Sequence, residues 1–252
     1  MLRKVAVPVI ACIVFLALWE LLVWANGWPN YVMASPSDLP ASYIRFWDLF
    51  VVMSWQTLWR TVLGLLIAII VGVAIGMIMG FSRTMRDALY PLLVGFNAIP
   101  KATVVPIVAL MFVGAHDFNT VLIAFMISFF PIAVSVSIGL STLEPEYRDI
   151  LRSLGASQAT IFWKIALPKT LPEFFGALKV AVTLAFIGTN LMEIVSPHGR
   201  GLGALFDSGK TNSDYPLMFA VLIALAFLGI VLYYVVVALE KIFAGWAERQ
   251  PG

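Results

Sequence analysis

Charge is scarce in this chain. Asp, Glu, Lys and Arg make up 12% of its 252 residues, while 61% are hydrophobic. A soluble domain carries roughly 25% charged residues, so the polar surface here is too small for a water-soluble protein and the class is integral membrane protein. Cysteine is almost missing as well. The single Cys12 lies inside an apolar run, which excludes a disulfide framework and a cysteine metal site. Such a thiol packs as a small hydrophobe. Histidine is confined to His116 and His198, with no second ligand at metal spacing, so no metal is expected and both read as hydrogen-bonded loop residues. No convergent His, Asp or Glu cluster points to a membrane enzyme. No soluble domain, low-complexity tract or internal repeat stands out, and the whole of 1–252 reads as one membrane domain.

What is present is a series of long apolar runs. A helix needs about 20 apolar residues to cross the hydrocarbon core. Val5–Ala25, Thr57–Phe81, Leu89–Val113, Val121–Leu140, Leu171–Val195 and Pro216–Leu239 qualify, giving an all-α fold of about six transmembrane helices, with a range of five to six. The first run is longer than the 7–15 residues of a signal-peptide core and reads as an uncleaved helix. The third contains Pro91, Pro100 and Pro106 and is either one span or a broken pair of helices.

Lys and Arg set the orientation. Arg3, Lys4, Arg83, Arg86, Arg148, Arg152, Lys164, Lys169, Lys241 and Arg249 fall on the side of the amino terminus. Arg45, Arg60, Arg200 and Lys210 fall on the other. Ten against four places both termini in the cytoplasm, with 26–56 and 196–215 facing outward. The 26–56 connection, with Pro29, Pro36, Pro40 and several aromatics, suits a segment lying along the interface.

In the second run Gly64, Ala68, Gly72, Gly76 and Gly80 recur every fourth residue and form one helical stripe. Small residues so spaced let backbones approach closely in lipid. The ordinary reading is helix packing within one subunit; the sharper one is a surface that slides between states.

The longest cytoplasmic connection holds Tyr147–Pro168, YRDILRSLGASQATIFWKIALP, within the loop 144–170. Tyr147, Leu151, Leu154, Ile161 and Ile165 follow a helical period. Gly155 in its middle costs a helix about 1 kcal/mol relative to alanine, which predicts a bend between two short helices, the second capped by Ser157. Pro168 and Pro172 begin the next span. An interfacial helix on anionic lipid is the plainer alternative. The modest basic face and small apolar residues suit insertion into a groove on a partner protein better.

Charges within the apolar runs are costly and face a cavity or pair up. Lys101, between two prolines, is the best candidate for lining a pathway, with a salt bridge bracing a broken helix as the other reading. Asn97 and Glu193 are further pathway candidates, although Glu193 is equally suited to pairing with Arg200 or a backbone donor. Glu20 and Lys179 lie near enough to an interface to reach water. Phe125, Met126, Phe129 and Phe130 offer contacts for a planar solute but are ordinary in membrane helices. Ser208-Gly209-Lys210-Thr211 has the ending of a phosphate-binding loop but Ala204 where the motif needs glycine, so any ATPase is expected on a separate chain.

The loop resembles the coupling-loop signature E-A-A-x3-G-x9-I-x-L-P of ABC-importer permeases. Gly155, Ile165, Leu167 and Pro168 are kept, and Asp149-Ile150-Leu151 stands where the pattern has Glu-Ala-Ala. Thr57-Leu58-Trp59-Arg60 with Gly64, Tyr90-Pro91-Leu92-Leu93, Ile99-Pro100-Lys101 with Pro106, and Glu193 followed by Gly201-Leu202-Gly203 extend the resemblance from about Ser35 to Leu239. The group it resembles serves nitrate, sulfonate, taurine and similar small solutes, or a small heterocycle.

That resemblance implies a multi-pass permease of the bacterial inner membrane, paired with a second copy of itself and binding no nucleic acid. A periplasmic solute-binding protein delivers the solute, and a cytosolic ABC ATPase dimer carries ATP and Mg, with no cofactor on this chain. Asp149, Arg152, Gly155, Ala156, Ser157, Ile165, Leu167 and Pro168 would form the ATPase contact. A self-sufficient ion-coupled transporter is the competing class, which the absence of an inverted repeat disfavours.

Overall fold

The computed structural model describes residues 2–141, 153, 155, 157–196 and 199–246. Asp149, Arg152 and Ala156 of the expected ATPase contact, the first of its two short helices, and His198 lie outside the described residues. Among those described, the chain is helical with no strand. The helices are α1 (Leu2–Asn26), α2 (Leu39–Arg45, after a 3-10 turn at Pro36–Asp38), α3 (Trp47–Phe81), α4 (Arg83–Ala98) and α5 (Lys101–Met111). They continue with α6 (His116–Ser141), α7 (Gln158–Ile161), α8 (Leu167–Val195), α9 (Leu202–Thr211) and α10 (Tyr215–Phe243). Helix α3, α6, the stretch Trp163–Val195 and α10 are each long and apolar enough to cross a bilayer; α4 with α5 makes a fifth span bent by 85°. Helix α1 runs 25 residues, with an apolar stretch at Ile10–Asn26.

Two expected boundaries move. The second span begins at Trp47, ten residues ahead of Thr57, because Trp47–Gln56 continues the helix and buries Phe50 beside Tyr43, their rings 4.8 Å apart. The outer 196–215 connection contains α9, whose apolar Leu202, Leu205 and Phe206 pack with Leu217 and Val221 of α10.

Helix α6 is the axis of the bundle, with α3 on one side and α8 on the other. The glycine stripe of α3 accounts for the first contact. A Cβ added at Gly64, Gly72, Gly76 or Gly80 would lie 2.5, 3.0, 2.7 and 2.7 Å from the Cβ of Ala124, Ile132, Val136 and Leu140. Each glycine therefore sits opposite the residue sixty positions later, so α3 and α6 run parallel with a constant register. The stripe packs helices within one subunit. Gly188 of α8 meets Ala124 and Ile127, and Gly139 of α6 meets Thr170, so α8 runs antiparallel to α6.

Parallel α3 and α6 need a return crossing between them, and only α4 and α5 are available. The bent pair is thus one interrupted span. Of its three prolines, Pro100 makes the break: Ile99 and Pro100 are extended, at ψ 127° and 112°, while Pro91 and Pro106 lie within helices. A residue before proline is driven out of the helical region. Lys101 then donates from Nζ to the carbonyls of Phe96 (2.9 Å) and Asn97 (3.1 Å), satisfying the open end of α4. Helix α1 ends beside the start of α10, where Trp19 meets Phe219 at 5.9 Å and Glu20 accepts from the Ser37 backbone and hydroxyl. The first residues of α1 and the last of α10 consequently lie at the end of the bundle that carries 157–168.

Candidate functional site

At that end the helical backbone is unbroken from Gln158 to Val195: α7 passes through a π-type turn at Phe162–Ala166 straight into α8. Ser157 opens it as expected, its Oγ accepting from the Thr160 N–H at 3.2 Å. Gly155 adopts φ +82°, the left-handed region that glycine tolerates, and a Cβ there would meet nothing within 4 Å. Ile161 and Ala166 are buried against the bundle, and Ile165, Leu167 and Pro168 are half-buried. Trp163 is 65% exposed. Lys164 is exposed beside it, so the outer face of this element pairs a large aromatic with a cation. Pro168 directly follows the π-type turn within this continuous helix, where it removes one backbone donor.

At the opposite end four elements converge on buried charge. Arg60 of α3 is 2% exposed and Glu193 of α8 is 1% exposed. Arg60 donates from Nη1 to Glu193 (3.2 Å) and from Nε and Nη2 to Asp117 of α6 (2.8 and 2.6 Å). Its Nη1 also donates to the Arg200 carbonyl. Glu193 accepts from Thr57 Oγ1 at 2.8 Å and from the Gly203 N–H at 3.1 Å. Thr57 Oγ1 in turn accepts from the Leu202 N–H at 2.9 Å, at the start of α9. Thr61 bonds Thr189 at 3.0 Å one turn further in. Gly201, at φ +121° and ψ 175°, crosses directly over the carboxylate, which a Cβ would overlap. Buried charges persist only when paired and hydrogen-bonded, as Arg60 and Glu193 are; Asp117, with 61% of its side chain exposed, joins them from the solvent side.

The outcome for the sequence-derived candidates is uneven. Glu193 does find a backbone donor, Gly203, but its ionic partner is Arg60; Arg200 contributes only its carbonyl. The carboxylate is enclosed by Thr57, Arg60 and the 201–203 backbone and lines no open path in this arrangement. Arg60, counted above with the outer loops, is a buried helix residue. Its position inside an apolar run was the signal, masked by its closeness to the expected end of the span. Thr57 and Asp117 carried no signal of their own. Lys101 caps α4 rather than bracing it through a carboxylate, and Asn97 is exposed on α4. Lys179, its side chain a quarter exposed, pairs with Glu240 of α10 at 2.8 Å. His116 bonds Ser196 at 2.6 Å. Phe129 is buried between Phe96 and Phe125, centroids 5.6 and 5.4 Å away. Ser208–Thr211 forms the last turn of α9, the wrong end of a helix for cradling phosphate.

Residues 64–246 match the family described as binding-protein-dependent transport system inner membrane component. The formylaminopyrimidine transport permease protein ThiX of Halalkalibacterium halodurans is 30% identical over 244 residues, 96% of each chain. The riboflavin transport system permease protein RibX of Chloroflexus aurantiacus is 32% identical over 243 residues, 94% of this chain and 88% of that one. A chain of the MetNI methionine ABC transporter in an inward-facing conformation shares the fold, with a TM-score of 0.66 over 79% of this chain and 98% of the other, at 18% identity.

Proposed function

This chain belongs to the binding-protein-dependent transport system inner membrane components, the permeases of ABC importers, and on that premise we propose that it forms the path for a small solute handed over by a periplasmic binding protein. A small nitrogen heterocycle is the favoured class over a small anion. Two relatives at 30 and 32% identity over most of both chains are permeases named for formylaminopyrimidine and riboflavin, while the nitrate import permease NrtB matches at 27%. Two copies of the chain would enclose the path, with both termini in the cytoplasm of a bacterial inner membrane. A pair of cytosolic ATPases would bind ATP and Mg and hydrolyse the ATP.

The observation that carries the reading is the fusion of 157–168 to α8. A segment that emerges from the bundle, presents Trp163 and Lys164, and continues without interruption into a spanning helix is suited to convert movement of a docked ATPase into movement of the membrane domain. Asp149, Arg152 and Ala156 would complete the contact.

Gly155 supplies the test. A Cβ there meets nothing within 4 Å among the described residues, so beyond the strain of the positive φ a bulky side chain disturbs what docks against it. Gly155→Trp should abolish co-purification with the ATPase while membrane insertion stays normal. Gly155→Asn, which tolerates a positive φ, should retain it. Equal co-purification of both variants with the ATPase would refute the docking role.

A further inference from the structure

The unbroken helix from Gln158 to Val195 has the expected ATPase contact at one end and Glu193 in its last turn at the other. Leu167 and Glu193 are about 39 Å apart along the axis, at 1.5 Å per residue. Through Glu193 this helix holds a separate element. The carboxylate takes the Gly203 N–H, Thr57 takes the Leu202 N–H, and Gly201 passes over both in a conformation only glycine adopts readily. These residues open α9, whose Lys210 and Thr211, with the following Asn212, are exposed at the end of the bundle remote from the start of α1. Arg60 locks the same carboxylate to α3 and, through Asp117, to α6.

We propose that Glu193, held by Arg60 and Thr57, is a positioning residue that makes α9 and the 199–203 loop move as one body with α8, so that displacement at 157–168 reaches the far face of the membrane undiminished. This rests on the permease reading above. The physical ground is that the buried, mutually bonded set of Arg60, Glu193 and Thr57 has few alternative arrangements. It transmits motion instead of absorbing it. Bare apolar packing of α9 against α10 would let the two elements slide. No residue of the cluster needs to touch solute.

The test uses the assembled complex of permease, ATPase and binding protein in lipid nanodiscs. Spin labels at Val180, exposed on α8, and Lys210, exposed on α9, report their separation. In the wild type this separation should be the same without nucleotide and with a non-hydrolysable ATP analogue. In Glu193→Ala its distribution should broaden and become nucleotide-dependent. The ratio of binding-protein-stimulated to unstimulated ATP hydrolysis should fall roughly fivefold or more, the scale of a coupling interaction. Thr57→Val keeps the volume of a fully buried side chain and loses only the hydroxyl, so it remains informative if Glu193→Ala does not assemble; it should lower the ratio in the same direction. A wild-type separation that changes by about 5 Å or more between states, the scale of a one-turn shift, overturns the proposal. So does a normal ratio in both variants. A wild-type complex with no stimulation at all would sink the permease reading itself.

Discussion

Replacing Gly201 by alanine is the sharpest stability test of the buried cluster. Two costs combine. At φ +121° and ψ 175° the residue occupies a region open in practice only to glycine, and any other side chain there costs about 1–3 kcal/mol. The new Cβ would also overlap the Glu193 carboxylate, which cannot withdraw without leaving Arg60. Breaking a buried ion pair costs about 3–5 kcal/mol. For a chain of this size each kcal/mol moves the melting temperature by about 2–4 °C, so Gly201→Ala should lower it by about 8 °C or more. Gly27→Ala is the control. That glycine also has positive φ, +60°, but a Cβ there meets nothing within 4 Å, so it should pay only the left-handed cost of about 1–2 kcal/mol. The assay is thermal unfolding of the detergent-solubilised protein followed by tryptophan fluorescence. Melting temperatures for the two variants within about 2 °C of each other would refute the claim that the loop is moulded around the carboxylate.

Other outcomes follow from the same geometry. Gly76→Leu should prevent α3 from seating on α6, since even a methyl would lie 2.7 Å from Val136, and it should abolish recovery of a monodisperse protein on size exclusion, whereas Gly95→Leu, facing open space, should not. Lys179→Met alone strands the Glu240 carboxylate, so it should lower the melting temperature more than the double variant Lys179→Met, Glu240→Gln; additivity of the single substitutions would argue against a direct pair. Pro100→Ala should relax the 85° bend, lengthening the distance between labels at Tyr90 and Leu110, and an unchanged distance would mean that tertiary packing, not proline, sets the break. Ser157→Ala removes the cap of α7, worth about 1 kcal/mol, and should weaken ATPase association while lowering the melting temperature of the permease alone by no more than about 4 °C.

The parts of this fold that follow from local rules were legible in the sequence. The small-residue stripe on α3 specifies a close helix contact, and the broken third span follows from its prolines, although only packing determines that Pro100 and not Pro91 or Pro106 makes the bend. The Ser157 cap is equally local. Arg60 shows where local reading stops. A charge four residues inside an apolar run is compatible with reaching water or with a buried partner, and its partners lie 57 and 133 residues away on other helices. Glu193 was legible as an intramembrane charge, but its enclosure depends on the 201–203 backbone, whose Leu202 N–H is held by Thr57, 145 residues away. Helix α9 was hidden for a different reason: ten residues with one apolar face give a weak periodic signal, and two of its turn residues are glycine. Helix α3 extended past its apolar run because Phe50 and Tyr43 pack together on the extension, a tertiary contact without a sequence marker.

The most direct test of the account is solute uptake into proteoliposomes containing this chain, with the binding protein and solute outside and the ATPase facing the lumen. Accumulation is predicted only when the ATPase and luminal ATP are both supplied, and an imposed proton or sodium gradient should not replace them. Uptake by the chain alone, driven by such a gradient, would contradict the central claim that it is the membrane half of an ATP-driven importer.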